Sequence, residues 1–302
     1  MKLVRYLYEH IEGYGALFDK DVIISFTAIA KNIKPCFPKT IEGFIKKSGG
    51  TVEKLEAALN SLPEKAIEQA SLPIEDVTIL APLVRPPKIV CLGLNYFDHI
   101  EEDITNRGKT IPDEPVIFLK PSTAIIGPKE PIIKPSFVKQ LDYEAELAII
   151  IGAYAKNVSV EAAKSHIFGY TILNDVSARD IQLKDGQWTR GKSFDTFAPI
   201  GPCIVTGNQL PDPMNLHIRT WVNGELRQDS STKNMVFNVY EIVHHLSRVM
   251  TLEPCDIIAT GTPAGVGFAL KPKPKFLKKG DVITIEIEGI GVLENFVEEE
   301  GA

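Results

Sequence analysis

The sequence predicts an α+β protein in which strands predominate, and three observations lead to that prediction. Residues 147–151 form an apolar run of the length of a buried strand. Asn223 and Gly224 separate two β-like segments, and an Asn-Gly pair at such a place favours a tight hairpin turn. Asn238 followed by Glu241 is typical of a capping box, which predicts one of the few helices over residues 239–251.

The chain is expected to divide into a small domain and a large one. Residues 1–80 contain short β-like segments followed by two helical patterns, which predicts a small N-terminal α/β cap domain. It carries no cluster of titratable groups, so we expect a structural role. The turn-rich segment 72–87 is typical of a linker. Residues 86–302 would then form the catalytic domain.

The composition excludes several classes of protein. A net charge of −6 and a pI near 5.6 argue against nucleic acid or an anionic membrane as a partner. The longest apolar run, residues 147–155, is too short to span a bilayer, and the N-terminus lacks a signal-peptide pattern. The four cysteines lie far apart, so neither a zinc knuckle nor a disulfide framework is expected. These features predict a cytoplasmic enzyme.

One acidic segment organises the rest of the chain. Residues 141–152 read L-D-Y-E-A-E-L-A-I-I-I-G, and in a strand the side chains of Asp142, Glu144 and Glu146 share one face. Burying carboxylates is costly unless a cation neutralises them, and Mg²⁺, Mn²⁺ or Ca²⁺ suits such oxygen ligands. The alternative is an edge strand whose acidic face is wet. Asp175, at the end of a second apolar strand, offers a further carboxylate.

His99 and Glu102 form a candidate general base. On a helix they lie at i and i+3, close enough to hydrogen-bond, and a carboxylate that orients an imidazole raises its basicity. The alternative is a chance pair on a solvated helix. The polar, aperiodic segment that follows predicts a lid over about residues 101–113 that closes on ligand binding.

Residues 186–193 match the phosphate-binding pattern G-x-x-x-x-G-K-[ST]. That loop needs a buried strand before it and a helix after it. Here the preceding residues are polar, and Pro199 and Pro202 prevent a long helix afterwards. We therefore reject a nucleotide site and expect Lys192 to act elsewhere.

A glycine-rich segment, residues 260–267, reads T-G-T-P-A-G-V-G. Its backbone N–H groups and hydroxyls are expected to hold a carboxylate. It is not a dinucleotide fingerprint, since Lys271 and Pro272 follow where a helix would be needed.

Taken together, six motifs in this order resemble those of the fumarylacetoacetate hydrolase family, from about Pro86 to the C-terminus. They are G-L-N-Y-F-D-H-I-E-E, F-L-K-P-S-T-A, D-Y-E-A-E-L-A-I-I-I-G, G-Y-T-I-L-N-D-V-S-A-R-D-I-Q, R-G-K-S-F-D-T-F-A-P-I-G-P and T-G-T-P-A-G-V-G. The resemblance, to the acylpyruvase and 2-hydroxyhepta-2,4-diene-1,7-dioate isomerase-like branch, implies a mixed β-roll catalytic domain and a homodimer. Cys255 departs from the pattern, because relatives usually carry glycine there, and we expect a different turn type.

The resemblance also implies roles for individual residues. The implied metal ligands are Glu144, Glu146 and Asp175; the implied catalytic residues are His99, Glu102 and Lys192; the implied substrate contacts are Arg179, Gln182 and Thr262. Asp98 falls where some members have a fourth metal ligand, and that role stays open.

The function that these residues predict is divalent-metal-dependent hydrolysis of a C–C bond in a 2,4-dioxo acid, with Mg²⁺, or Mn²⁺ or Ca²⁺, as Lewis acid. Lys192 would stabilise negative charge, and His99 with Glu102 would activate water. One alternative keeps the scaffold but changes the reaction: isomerisation or decarboxylation of a 2-oxo diacid, of the 2-hydroxyhepta-2,4-diene-1,7-dioate or oxaloacetate type, or a sugar-acid hydrolase or dehydratase. The other is a non-catalytic 2-oxo acid binding protein, which would need none of these three residues.

Overall fold

A computed structural model describes residues 1–19, 21–32, 38–48, 52–102, 111–210 and 212–301. Most of the expected lid, residues 103–110, lies outside the described residues. No helix in the described ranges is long and apolar enough to cross a membrane.

Strands predominate, as predicted. The strands are β1 (Lys2–Tyr8), β2 (Ile11–Asp19), β3 (Val22–Ser25), β4 (Ser71–Pro73), β5 (Thr78–Leu80), β6 (Ile89–Gly93), β7 (Val116–Lys120), β8 (Ile125–Ile126), β9 (Pro131–Lys134), β10 (Leu141–Asp142), β11 (Ala145–Ile151), β12 (Ile167–Asn174), β13 (Ser177–Ala178), β14 (Ala198–Thr206), β15 (His217–Val222), β16 (Glu225–Ser231), β17 (Ile257–Ala259), β18 (Val282–Ile287) and β19 (Gly291–Glu299). The α-helices are α1 (Phe26–Asn32), α2 (Ile41–Ser48), α3 (Glu53–Asn60), α4 (Glu64–Ala70), α5 (Phe97–Glu102), α6 (Val160–Ala163), α7 (Arg179–Asp185), α8 (Trp188–Lys192) and α9 (Val239–Val249). The α+β, mostly β fold class is confirmed.

The acidic strand β11 lies inside the largest sheet. This 12-stranded sheet runs β4-β3-β2-β1-β14-β12-β11-β17-β6-β7, with β5 paired to β1 and β8 to β14. Every residue of β11 is buried, and Ala148 and Ile150 join one hydrophobic cluster while Leu147 and Ile149 join the other. The alternative of a wet edge strand is therefore wrong.

The register between β11 and β12 brings distant carboxylates together. Ala145 pairs with Asn174, so the residues just before β11 lie beside those just after β12. The Asp175 N–H donates to the Glu144 carbonyl at 2.9 Å, and the Glu144 N–H donates to Asn174 Oδ1 at 3.0 Å. The site thus rests on two adjacent antiparallel strands.

A second, five-stranded sheet runs β16-β15-β18-β19-β9. The predicted hairpin joins β15 to β16, and Asn223 and Gly224 both have positive φ, 51° and 78°, as a type I′ turn requires. Among its side chains, Gln228 of β16 reaches the backbone of β11. This sheet therefore supports the acidic strand from a second direction.

The first strands continue the main sheet. β1 pairs antiparallel with β14, with Leu3 opposite Ile204, so the N-terminal unit hydrogen-bonds directly to the rest of the chain. Pro63 lies between α3 and α4, where a residue without a backbone N–H ends the helical pattern. Whether residues 1–80 form a separate domain stays a prediction.

The capping box of α9 gives a test of local stability. Asn238 Oδ1 accepts from the Tyr240 and Glu241 N–H groups at 2.9 and 3.1 Å, and Glu241 Oε2 accepts from the Asn238 N–H at 2.8 Å. Replacing Asn238 by Ala should lower the free energy of unfolding by about 1 kcal/mol, because two N–H groups of the first helical turn lose their acceptor. Urea denaturation measures this change, and an unchanged midpoint would contradict it.

Candidate active site

Three carboxylates converge where β11 begins and β12 ends. Glu144, Glu146 and Asp175 are all buried, and each offers an oxygen atom within 4.8 Å of the others. Among the described residues Asp98 is not part of this cluster. Its Oδ2 accepts from Ser230 Oγ at 2.6 Å, and its Oδ1 accepts from the His99 N–H at 2.9 Å.

Two buried lysines contact the cluster. The Lys192 ammonium donates to Glu144 Oε2 at 2.6 Å and to Asp175 Oδ2 at 2.7 Å. Lys120, which sequence reasoning did not single out, donates to Asp175 Oδ1 at 2.6 Å and to the Val176 carbonyl at 3.2 Å. The sequence offered one signal for Lys120, because it is the single charged residue of the apolar strand β7. A charge in such a strand is buried only when it has a partner.

Arg179 joins the cluster to a fourth carboxylate. Its Nη1 lies 2.7 Å from Glu144 Oε1, and its Nε donates to Asp142 Oδ2 at 2.9 Å. Nη1 also donates to Gln182 Oε1 at 3.0 Å, while Nη2 is buried and has no hydrogen-bond partner among the residues that the structure describes. Arg179 therefore has one unused donor beside the carboxylates.

These contacts fix the charge of Glu144 and Lys192. Burial by itself would raise the pKa of Glu144, but Lys192 and Arg179 outweigh it and lower the pKa to about 2. Burial would lower the pKa of the Lys192 ammonium, yet Asp175 and Glu144 raise it above its ordinary value. Both groups are charged at neutral pH.

Glu146 differs from the other carboxylates in its partners. Its Oε2 accepts from the Gly261 N–H at 2.7 Å, whereas its Oε1 is buried with no partner in the described part of the chain. Burial, Asp175 and Glu144 raise the pKa of Glu146 well above its ordinary value. Three convergent oxygen donors, one of them without a partner, fit a divalent cation such as Mg²⁺ or Mn²⁺.

His99 and Glu102 lie on α5 and are hydrogen-bonded. His99 Nδ1 lies 2.8 Å from Glu102 Oε1, and Glu102 Oε2 accepts from the Gly265 N–H at 2.9 Å. The side chains are 12% and 19% exposed, so the alternative of a pair on a solvated helix does not hold. Because a carboxylate only accepts, His99 donates through Nδ1, which leaves Nε2 as the basic atom of the neutral ring.

His99 of the dyad and Glu144 of the acidic cluster line one cavity of about 90 Å³. Its lining comprises Leu92, Gly93, Leu94, His99, Phe118, Glu144, Arg179, Gln182, Leu183, Trp188, Lys192, Thr262 and Phe268. The Trp188 ring packs edge-on against Phe118 at 5.8 Å and takes the space that a side chain at position 93 would need. The cavity is therefore lined both by aromatic rings and by charged side chains.

The glycine-rich loop differs in part from expectation. The N–H groups of Gly261, Gly265 and Gly267 are occupied by the chain's own carboxylates, those of Glu146, Glu102 and Asp142. The Thr260 hydroxyl donates to the Leu147 carbonyl at 2.8 Å, so Thr262 is the loop hydroxyl that lines the cavity. The loop thus orients the acidic side chains, and its contact with a ligand is left to Thr262.

The elements around residues 186–193 differ from those that flank a phosphate-binding loop. Helix α7 precedes residues 186–193 where a phosphate loop needs a strand, and β14 follows α8. Lys192 points at two carboxylates, which would repel a phosphate.

ATP is accordingly expected to bind no more tightly than roughly millimolar. Calorimetry on the wild type and on Lys192→Ala measures this, with Lys184→Ala, an exposed lysine of α7, as the control. Tight ATP binding that only Lys192→Ala removes would contradict the assignment.

Comparisons with known proteins agree with this geometry. The model of the fumarylacetoacetate (FAA) hydrolase C-terminal family matches residues 88–298. A mitochondrial oxaloacetate tautomerase of Bos taurus is 45% identical over 87% of this chain and 81% of the relative. A solved fumarylacetoacetate hydrolase of Exiguobacterium antarcticum has a TM-score of 0.83 and 40% identity over 99% of this chain and 100% of that chain. The maleylpyruvate hydrolase of Sphingobium sp. SYK-6, solved with manganese(II) ion and pyruvate, has a TM-score of 0.77 and 32% identity over 99% of both chains.

These findings confirm the fold that the motifs implied. They also agree with a divalent metal at the acidic cluster and with a small-molecule substrate. The hydrolase, isomerase and tautomerase reactions all occur among the names of similar proteins, so the reaction itself is a separate question. The family model covers well over half of the chain, and the chain belongs to the fumarylacetoacetate hydrolase family.

Proposed function

We propose that this protein catalyses keto–enol tautomerisation of a 2-oxo diacid such as oxaloacetate, in which a proton leaves the carbon next to the keto group and one is added to the keto oxygen, or the reverse. The observation that carries the proposal is the His99–Glu102 pair, hydrogen-bonded at 2.8 Å, whose His99 lines the same cavity as Lys192 and Arg179. The 45% identity to an oxaloacetate tautomerase supports this choice of reaction among those the family performs. The proposal takes up the isomerase alternative of the sequence analysis.

Glu144, Glu146 and Asp175 are proposed to hold the divalent cation, Mg²⁺ in the first place, with Mn²⁺ or Ca²⁺ as alternatives. Bound there, the cation supplies Lewis-acid polarisation of the keto and carboxylate oxygens of a 2-oxo acid. The unpartnered Glu146 Oε1 supports this assignment. Lys120 holds the other oxygen of Asp175, so it fixes the direction in which that carboxylate points.

His99 is proposed to take the proton from the carbon in the keto-to-enol direction and to deliver one to it in the enol-to-keto direction, while Lys192 gives a proton to the oxygen or takes it from there. Glu102 accepts the Nδ1 hydrogen, which keeps Nε2 unprotonated and stabilises the imidazolium once the proton has moved. The Gly265 N–H holds Glu102 in that orientation. A side chain at position 265 would collide with the Arg227 carbonyl, so glycine is needed at this point of the loop.

The cationic side chains are proposed to bind the substrate and its developing charge. Lys192 is kept protonated by Glu144 and Asp175, and it can donate to the oxygen that becomes negative in the enolate. Arg179 Nη2 is a buried donor to which no described residue offers an acceptor, and it is suited to a carboxylate oxygen. Gln182 and Thr262 line the same cavity and complete the proposed substrate contacts.

A second candidate is the hydrolysis of a C–C bond in a 2,4-dioxo acid. The same His99–Glu102 pair favours it, because a base in this cavity can equally take a proton from water. The structural similarity to a fumarylacetoacetate hydrolase supports it as well. In this reaction water attacks the distal carbonyl and the C–C bond breaks, so the acyl half becomes a carboxylic acid and the pyruvate half leaves as its enolate, which then takes up a proton.

Product analysis separates the candidates. Under the proposal, the Mg²⁺-loaded protein accelerates the loss of ultraviolet absorbance of enol-oxaloacetate while releasing neither CO₂ nor pyruvate. Acylpyruvates and fumarylacetoacetate are offered in parallel, with chromatography of the products. Cleavage of these substrates without any effect on the enol would replace the proposal by hydrolysis, and CO₂ release would replace it by decarboxylation.

We also propose a homodimer, as the motifs imply, and a cytoplasmic location. Light scattering of the purified chain tests the homodimer, for which a single species of twice the 33.3 kDa chain mass is expected. Fractionation of the source cells tests the location, and recovery with an organelle would contradict it.

A further inference from the structure

Gln228 of β16 lies behind the cavity with every hydrogen-bonding position of its amide in use. Its Oε1 accepts from the Ala145 N–H at 3.1 Å and from Thr220 Oγ1 at 2.8 Å. Its Nε2 donates to Thr262 Oγ1 at 2.8 Å and to the Pro263 carbonyl at 2.9 Å. The side chain is fully buried, so water does not compete for these bonds.

Two backbone groups fix which end of this amide is which. A backbone N–H only donates, so the atom facing Ala145 must be the oxygen. A carbonyl only accepts, so the atom facing Pro263 must be the nitrogen. Turning the amide over would set its NH₂ group against the Ala145 N–H, donor against donor. It would also set its oxygen against the Pro263 carbonyl, acceptor against acceptor. Its orientation is therefore set by the chain.

The orientation of Gln228 dictates the behaviour of the Thr262 hydroxyl. Since the amide N–H points at Thr262 Oγ1, that oxygen accepts there and its own hydrogen must point elsewhere. No acceptor among the described residues takes this hydrogen, and Thr262 lines the cavity. We propose that Gln228 is a positioning residue that makes the Thr262 hydroxyl a fixed hydrogen-bond donor to a substrate carboxylate.

Fixing the donor matters because a free hydroxyl can rotate and either donate or accept. A carboxylate offers only acceptors, so a hydroxyl that already accepts from the protein is matched to it before the substrate arrives. This inference rests on the proposed function, which places a 2-oxo diacid in this cavity. According to this inference Gln228, which does not itself line the cavity, makes Thr262 select a carboxylate.

Oxalate binding tests the proposal, with the full chain loaded with Mn²⁺. Gln228→Met and Thr262→Val are each expected to weaken oxalate binding roughly tenfold, the effect of one hydrogen bond. The double variant should bind no more weakly than Thr262→Val alone, because both changes remove the same donor. Calorimetry measures both oxalate and Mn²⁺, and the affinity for Mn²⁺ should stay unchanged.

A merely structural role would give other results. Gln228 also holds the Ala145 N–H between two acidic residues, so a general disturbance would weaken Mn²⁺ binding. It would also weaken oxalate binding further in the Thr262→Val background, and either result overturns the proposal. Thr220→Val is the matched control: it removes a bond to the same amide but not the bond to Thr262, and oxalate binding should not change.

Neutron diffraction of deuterated wild-type crystals with oxalate keeps the proposal testable if Gln228→Met does not fold. The hydroxyl deuterium of Thr262 should point at an oxalate oxygen, and a deuterium pointing at Gln228 overturns the proposal. The wild type could lack tautomerase activity while the variants give these binding results. That outcome would refute the proposed reaction but leave the role of Gln228 intact. Unchanged oxalate affinity in Thr262→Val would refute that role whatever the reaction is.

Discussion

Replacing Glu102 by Gln should lower the rate of enol-oxaloacetate tautomerisation by roughly 10²–10⁴-fold, the usual contribution of a general base. In the wild type, Glu102 Oε1 lies 2.8 Å from His99 Nδ1 and accepts its hydrogen. An amide can present its NH₂ group there instead, and it carries no charge to stabilise the imidazolium. The exchange should reduce kcat with little effect on KM, because the carboxylate matters most after the proton has moved.

The neighbouring residue supplies the control for this experiment. Glu101 is exposed on the same helix α5, and Glu101→Gln should retain full activity. Mn²⁺ binding, measured by calorimetry, should be the same in both variants, since Glu102 lies outside the acidic cluster. Full turnover by Glu102→Gln would remove the dyad from the mechanism. If the variant loses cleavage of a 2,4-dioxo acid and the wild type never acts on the enol, hydrolysis becomes the reaction.

The features that the sequence predicted well depend only on residues close together in the chain. The alternation in β11, the Asn223-Gly224 turn and the capping box at Asn238 each depend on residues a few positions apart. The His99–Glu102 contact is of the same kind, because a helix brings i and i+3 together. Local periodicity and local hydrogen bonding were enough for these elements.

The electrostatic environment of the carboxylates could not be predicted in the same way. Lys120 and its partner Asp175 are 55 residues apart, and their contact depends on the pairing of β6 with β7 and of β11 with β12. Gln228 and Ala145 are 83 residues apart and belong to different sheets. A pattern within one segment carries no information about such partners. The long-range pairing of strands decides them.

Cys255 shows how a local expectation failed. The change from glycine predicted a different turn, but Cys255 has a φ of 78°, in the left-handed region that glycine favours. The Asp256 N–H donates to the Glu253 carbonyl at 2.9 Å and closes the turn around Pro254. The backbone therefore keeps the conformation suited to glycine at this place of a type II turn. The thiol is buried, so packing around the side chain holds a conformation that cysteine rarely adopts.

Replacing Glu146 by Gln should abolish metal-dependent activity while the protein stays folded. Three carboxylates form the proposed metal site, and this substitution removes one negative charge and one oxygen ligand. The affinity for Mn²⁺ should fall by more than the roughly 10–100-fold that the loss of an outer-shell partner costs. Calorimetry measures the affinity, and activity is followed in the presence and absence of EDTA.

The resistance of Glu146→Gln to urea should stay the same or rise while its affinity for Mn²⁺ falls. This combination distinguishes a metal ligand from a carboxylate that stabilises the fold. Of the buried carboxylates in the described cluster, Glu146 alone has no cationic side chain on it, and Asp175 and Glu144 disfavour its charge. A neutral amide removes that repulsion, so the EDTA-treated variant should resist urea at least as well as the EDTA-treated wild type.

Asp256, also buried but paired with Lys88 at 2.6 Å, supplies the contrast. Asp256→Asn should leave the Mn²⁺ affinity intact, because Asp256 lies outside the acidic cluster. Full activity of Glu146→Gln in EDTA would show that the acidic cluster does not serve catalysis through a metal.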